Sequence, residues 1–116
     1  MSSLEDRELL RLAAKAAGYP IHSDAKWVGA GGGKPSFYMG LRGPKWNPLE
    51  DDGDAFRLAN QMNFWIERGT EPSVHVAQAS WSGEIKENYA SHDGDKDSAT
   101  RRAIVRAAAE IGRSMP

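Results

Sequence analysis

Two segments near opposite ends of the chain carry alanine where an amphipathic helix turns its apolar face inward, and this limits the fold more than any other feature. Over Leu4 to Ala17, the residues Leu9, Leu12, Ala13 and Ala16 follow the i, i+3, i+4, i+7 spacing of one helical face. Over Ser98 to Gly112, Ile104, Ala107, Ala108 and Ile111 repeat it. Small side chains on both faces let these helices lie close to one another or to a sheet. End signals agree with the spacing. Ser3 is suited to cap the first helix, Glu5 and Asp6 sit at the positive end of its dipole, and Gly18 followed by Pro20 stops it. Asp97 or Ser98 caps the last helix, and Arg113 places a favourable charge at its C-terminal end.

Between these helices the pattern changes. Lys26 to Val28 and Ser36 to Leu41 read as strands joined by the stretch Gly29 to Pro35, and Arg42-Gly43-Pro44-Lys45 reads as a turn. A middle helix from Gly53 to Met62 shows the stripe Ala55, Leu58, Ala59, Met62, with Asp51 or Asp52 as its cap. Phe64 to Glu67, Val74 to Ala79 and Glu84 to Tyr89 read as three more strands, separated by turns at 69–72 and 80–83. Short connections imply antiparallel neighbours. The order αββαβββα predicts an α+β fold, an antiparallel sheet of about five strands covered by three helices, with residues 1–116 forming a single domain.

Composition narrows the function classes. The chain has 116 residues, no cysteine, and 15 Lys+Arg against 16 Asp+Glu, a formal net charge of -1. Disulfides, thiolate metal sites and cysteine nucleophiles are excluded. No run reaches the roughly 20 apolar residues that span a bilayer, and Met1-Ser2-Ser3-Leu4-Glu5-Asp6 lacks the order of a signal peptide. The expectation is a soluble protein in the cytoplasm with no membrane partner. Near-neutral charge argues against a protein that coats nucleic acid. The charge is uneven, however. Residues 21–49 hold four basic groups and one acidic, residues 50–97 four and eleven, and residues 98–116 four and one.

Most local motifs read as structure. Gly29 to Lys34 fails as a phosphate loop, because Val28 and Pro35 stand where a glycine and a hydroxyl residue are needed. The cluster Glu50-Asp51-Asp52-Gly53-Asp54 suits helix capping better than a cation site. Asp93-Gly94-Asp95-Lys96-Asp97 begins like a calcium loop, but Ser98 and Ile104 occupy the positions of its glycine and glutamate. His22, His75 and His92 lie on separate elements, and Ser36, Ser80 and Ser82 lack a nucleophile elbow. No enzyme, metal or cofactor is expected. Among the tryptophans, Trp65 on a strand reads as core, whereas Trp27, Trp46 and Trp81 fall at strand ends or turns, where an indole is half buried or anchors an interface.

Two resemblances bear on function. Residues 53–112 loosely resemble a double-stranded RNA-binding domain, an αβββα unit whose last helix grips phosphate with basic residues, here Arg101, Arg102 and Arg106. Asp93, Asp95 and Asp97 crowd that approach and repel phosphate. Over the whole chain, Trp46-Asn47-Pro48-Leu49-Glu50-Asp51-Asp52-Gly53-Asp54-Ala55 and Arg102-Ala103-Ile104-Val105-Arg106-Ala107-Ala108-Ala109-Glu110-Ile111-Gly112 resemble motifs of small phage and prophage proteins of the phage ABA sandwich domain type. That resemblance implies a phage- or prophage-encoded accessory protein inside a bacterial cell. The expected role is a noncatalytic interaction module that meets an unidentified protein of host or phage around Trp46, Asp51 and Asp52. The alternative is a nucleic-acid-binding module using the three arginines.

Overall fold

Each helix is delimited by residues that satisfy its end groups. The computed structural model describes residues 3–19, 26–28, 36–38, 45–68, 72–79 and 81–115. Helix α1 spans Ser3–Ala17, so Ser3 is its first residue and not a cap outside it. Gly18, at φ 76°, closes it: the Gly18 N–H donates to the Lys15 carbonyl and the Tyr19 N–H to the Ala14 carbonyl. Helix α2 spans Asp52–Met62, and Asn63 at φ 55° takes the same closing role, with Phe64 N–H donating to Ala59. Helix α3 spans Lys96–Arg113 and starts two residues earlier than its sequence suggests. Its cap is Asp95, whose carboxylate accepts from the Asp97 and Ser98 N–H groups.

The described strands form two antiparallel sheets of three, not one sheet of five. The first contains β1 (Lys26–Val28), β2 (Ser36–Tyr38) and β3 (Lys45–Trp46), in that order, with Trp27 in register with Phe37 and Phe37 with Trp46. The second contains β4 (Trp65–Glu67), β5 (Ser73–Gln78) and β6 (Trp81–Asn88). The physical reason is local. Consecutive strands with short connections pair with each other, and α2 carries the chain away between the two groups. The expected continuation of β2 to Leu41, the loop Gly29 to Lys34 and His22 lie outside the described residues. Trp81 and Gly83, read as a turn, belong to β6, where Gln78 stands opposite Trp81 after a register shift.

The core lies between the second sheet and the helices. Val74, Val76 and Ile85 turn inward from β5 and β6, and α3 packs against both strands, against α1 and against α2. Consequently α3 is buried almost all round: Ala99, Ala103, Ile104, Val105, Ala107, Ala108, Ala109 and Gly112 are enclosed. The apolar stripe of α2 is the one its spacing predicts. That of α1 is broader than its spacing predicts: Leu12 and Ala13 are buried as expected, Leu10, Ala14 and Ala17 are buried beside them, and Leu9 and Ala16 pack at the margin. Helices α1 and α3 approach closely at Gly112, where a Cβ atom would overlap the backbone carbonyl of Leu12. Trp65 is the clearest departure from expectation. It is 67% exposed, because β4 is an edge strand and Trp65 shares the outer face with Ala77 opposite.

Candidate functional site

The turn before α2 is built by its own polar groups. Trp46 is 5% exposed and meets Tyr19 edge to face, with ring centroids 5.5 Å apart. The Asn47 side-chain oxygen accepts from Leu49 N–H at 3.1 Å, and its carbonyl accepts from Glu50 and Asp51. Asp51 caps α2 by accepting from Asp54 N–H at 2.8 Å. Asp54 returns the favour by accepting from Asn47 N–H at 2.9 Å. This is the reciprocal logic of a capping box, with the return bond reaching the start of the turn. Asp54 also accepts from Arg57 at 2.7 Å, and that hydrogen bond holds the guanidinium above its ordinary pKa. Burial raises the Tyr19 phenol above its usual value. Trp46 and Asp51 are therefore committed to shaping the turn.

Asp52 and Arg101, expected at separate sites, are brought together. Arg101 donates to Asp52 at 2.6 Å and to the Leu49 carbonyl at 3.0 Å, so one side chain fastens the turn motif to the alanine-rich helix. Arg102 instead reaches α1, donating to Asp6 at 3.1 Å and Glu5 at 3.2 Å. Arg106 pairs with Glu87 on β6 and donates to the Lys86 carbonyl. The three arginines thus point to three different neighbours, and each meets a carboxylate.

Beside the Asp52–Arg101 pair lies a groove of about 320 Å³. Ala55, Ala59 and Ile104 form its floor, Phe56 and Ile66 its apolar walls, and Arg68 and Asp97 a second ion pair at 3.6 Å on its rim. Among the described residues, the large apolar side chains left exposed are Phe56 at 65%, Trp65 at 67%, Ile66 at 38% and Met115. Three of these four belong to α2 and β4, around the groove and the sheet edge beside it. Sequence reasoning named none of the groove's apolar walls. The available signal was Phe56, a large apolar residue lying off the buried stripe of an otherwise regular amphipathic helix.

A polar line elsewhere was also missed. The His92 ring lies 3.0 Å from the Ser98 hydroxyl through Nδ1 and 2.8 Å from the Glu87 carboxylate through Nε2. Glu87 in turn holds Arg106. The arrangement ties β6, the 3-10 turn Tyr89–His92 and the start of α3 together, and Ser98 is absent from the groove lining. His75 contacts Glu84 at 3.1 Å on the second sheet. Among the described residues, no group of three or more His, Asp or Glu side chains is placed to hold a metal ion, and no helix is long and apolar enough to cross a membrane. Comparison with known proteins returns no matching family model, no matching curated protein and no matching solved structure.

Proposed function

We propose that the chain is a noncatalytic interaction module whose contact face is the groove between α2 and α3 together with the edge strand β4. In keeping with the resemblance of its motifs, it acts as a phage- or prophage-encoded accessory protein. The exposed Phe56 and Ile66 beside the groove, with Trp65 exposed on the other face of the same edge strand, carry this reading. Taking about 200 Å² for an aromatic side chain, Phe56 and Ile66 leave on the order of 200 Å² of apolar surface at the groove and Trp65 about another 130 Å² on the other face of β4; together they approach the size of the largest apolar patch on an ordinary monomer, which is often functional. An apolar centre ringed by the Asp52–Arg101 and Arg68–Asp97 pairs also has the anatomy of an interface.

Nucleic-acid binding through Arg101, Arg102 and Arg106 draws less support, since every one of these guanidiniums is already engaged by carboxylate. The test is comparative. Immobilised wild-type chain and a Phe56→Ser/Trp65→Ser variant are exposed to the same bacterial extract. The reading expects a specific binder that the variant loses, and recovery of the same proteins by both chains overturns it. Salt-sensitive retention on RNA that Arg101→Gln abolishes would favour the alternative.

A further inference from the structure

We infer that the groove between α2 and α3 takes a basic segment of a partner protein, with one large apolar side chain on its floor and a lysine or arginine on either side of that anchor. This occupant rests on the contact face proposed above and gives it a chemistry. At about 320 Å³, the groove lies at the small end of ligand sites, which run from about 300 to 1,000 Å³. It therefore holds an anchor residue and its immediate neighbours, not a folded domain. Ala55, Ala59 and Ile104 lie below the anchor and Phe56 and Ile66 beside it. Their exposed apolar surface, on the order of 200 Å², suits a short segment, whereas stable protein–protein interfaces bury about 800 Å² per partner.

Charge around this floor selects the occupant. Pair for pair the lining is neutral, with Asp52 on Arg101 and Asp97 on Arg68. What faces solvent is not. The Asp52 side chain is 75% exposed against 16% for Arg101, and Asp97 is 66% exposed against 45% for Arg68. Arg101 is further occupied by the Leu49 carbonyl, and Arg68 meets Asp97 only at 3.6 Å. An ionised carboxylate has about four acceptor sites, and each of these two engages its arginine through one oxygen. Asp51 and Asp95, the exposed caps of α2 and α3, stand one and two residues away in sequence. Part of the acidic excess of residues 50–97, eleven acidic groups against four basic, is thereby gathered along the rim.

An anionic occupant meets like charge at both carboxylates and is repelled. A neutral apolar segment fills the floor but strips water from Asp52 and Asp97 without replacing its hydrogen bonds. A lysine or arginine beside the anchor instead donates to a carboxylate that an ion pair already holds in place. The helix sets the spacing. Arg101, which holds Asp52, follows Asp97 by four residues on α3, about 6 Å along the axis, so one cation on each side of the anchor reaches one carboxylate. Each exposed pair strengthens binding about two- to fivefold at low salt, and less as salt rises. With a single anchor, Kd is about 0.1–1 mM.

Three capped hexapeptides sharing a Leu-Phe centre, with lysine, glutamine or glutamate on both flanks, are titrated to about 5 mM into the chain and followed by amide correlation spectra. The lysine peptide should shift the amides of Asp52, Phe56, Ile66 and Asp97. It should bind about four- to twentyfold tighter than the glutamine peptide in about 20 mM salt, lose most of that margin in about 500 mM, and leave the glutamate peptide weakest. Phe56→Ser should abolish binding of all three. Asp52→Asn/Asp97→Asn should equalise the lysine and glutamine peptides while the glutamine peptide binds as before, both variants keeping the wild-type far-UV circular dichroism. A lysine peptide no tighter than the glutamine one, a margin that survives the double substitution, or no shift at the groove overturns the inference. If the glutamine peptide binds as tightly in a Phe56-dependent way, or if no peptide binds while the extract still yields a protein that Phe56→Ser loses, the contact face stands without a basic occupant. If neither peptide nor extract yields a binder, both fall.

Discussion

Replacing Gly112 by alanine should destabilise the protein, although alanine is the better helix former. Helix propensity alone favours the change by about 1 kcal/mol. The added Cβ, however, would overlap the Leu12 carbonyl oxygen and lie 3.0 Å from its carbon and 3.4 Å from its Cα, where carbon pairs are comfortable at about 3.5–4.0 Å. These are backbone atoms in the middle of α1, and they cannot rotate away. The helices must separate by about 1 Å, which loosens the layer made by Leu10, Ala13, Ala14 and Ala17. Overpacking of this severity costs about 3 kcal/mol, leaving a net loss of about 2 kcal/mol. With an unfolding entropy of about 2.1 cal/mol/K per residue, 116 residues give about 0.24 kcal/mol/K, so Tm should fall by about 8 °C. Gly53→Ala is the matched contrast. Its Cβ would meet the flexible end of Arg57 at 3.2 Å and the capping Asp51 Oδ2 at 3.1 Å, side-chain atoms that need give by only a few tenths of an ångström, so its Tm should change far less than that of Gly112→Ala. Scanning calorimetry of both variants decides the matter. A Gly112→Ala protein that melts at or above the wild-type temperature would refute the close approach of α1 and α3.

Three further perturbations probe the turn and its attachments. Asp51→Ala removes the cap on Asp54 N–H and should lower unfolding free energy by about 1 kcal/mol in urea titrations, with Asp51→Asn recovering most of it. Arg101→Met retains the side-chain stem but leaves the Leu49 carbonyl without its guanidinium donor. A loss of about 1–2 kcal/mol is expected, and an unchanged urea midpoint would show that Arg101 does not fasten the turn to α3. Burial raises the Tyr19 pKa, so the unfolded chain releases that proton first. The associated stability is complete below the ordinary phenol value and is lost as pH rises through the folded value. Ultraviolet titration should show a late-ionising tyrosine that Tyr19→Phe eliminates.

What the sequence makes legible follows from how local the cause is. The stripe of α2 depends on neighbours within a turn and is read correctly, and its cap is narrowed to Asp51 or Asp52, between which the structure selects Asp51. The start of α3 is missed because Asp95, Asp97 and Ser98 are all competent caps, and only the fold decides among them. Its width is missed for another reason. Arg101, Arg102 and Arg106 make it read as polar on one side, yet each lays its stem along packed surface and ends on a carboxylate from a different element. Trp65 is misread because residue type cannot distinguish an edge strand from a central one. At the site, Asp52 and Arg101 are both legible as charged candidates, but their union depends on how α2 docks against α3, and the acidic pairing of the arginines is equally non-local.

The enclosure of α3 by α1 and the sheet also sets a schedule. The bond between Arg102 and Asp6 spans 96 residues, and Lys15 reaches Met115 across 100. Closing loops of this length must be accomplished before the contacts reward it, which slows folding relative to a local helix bundle. During synthesis at 5–20 residues per second, α1 waits roughly 5–20 s for the helix that covers it. Through that interval Leu10 and its alanine neighbours lack α3, their main native partner, so the growing chain depends on a temporary cover or on the reversible fraying of a helix held only by its contacts with α2.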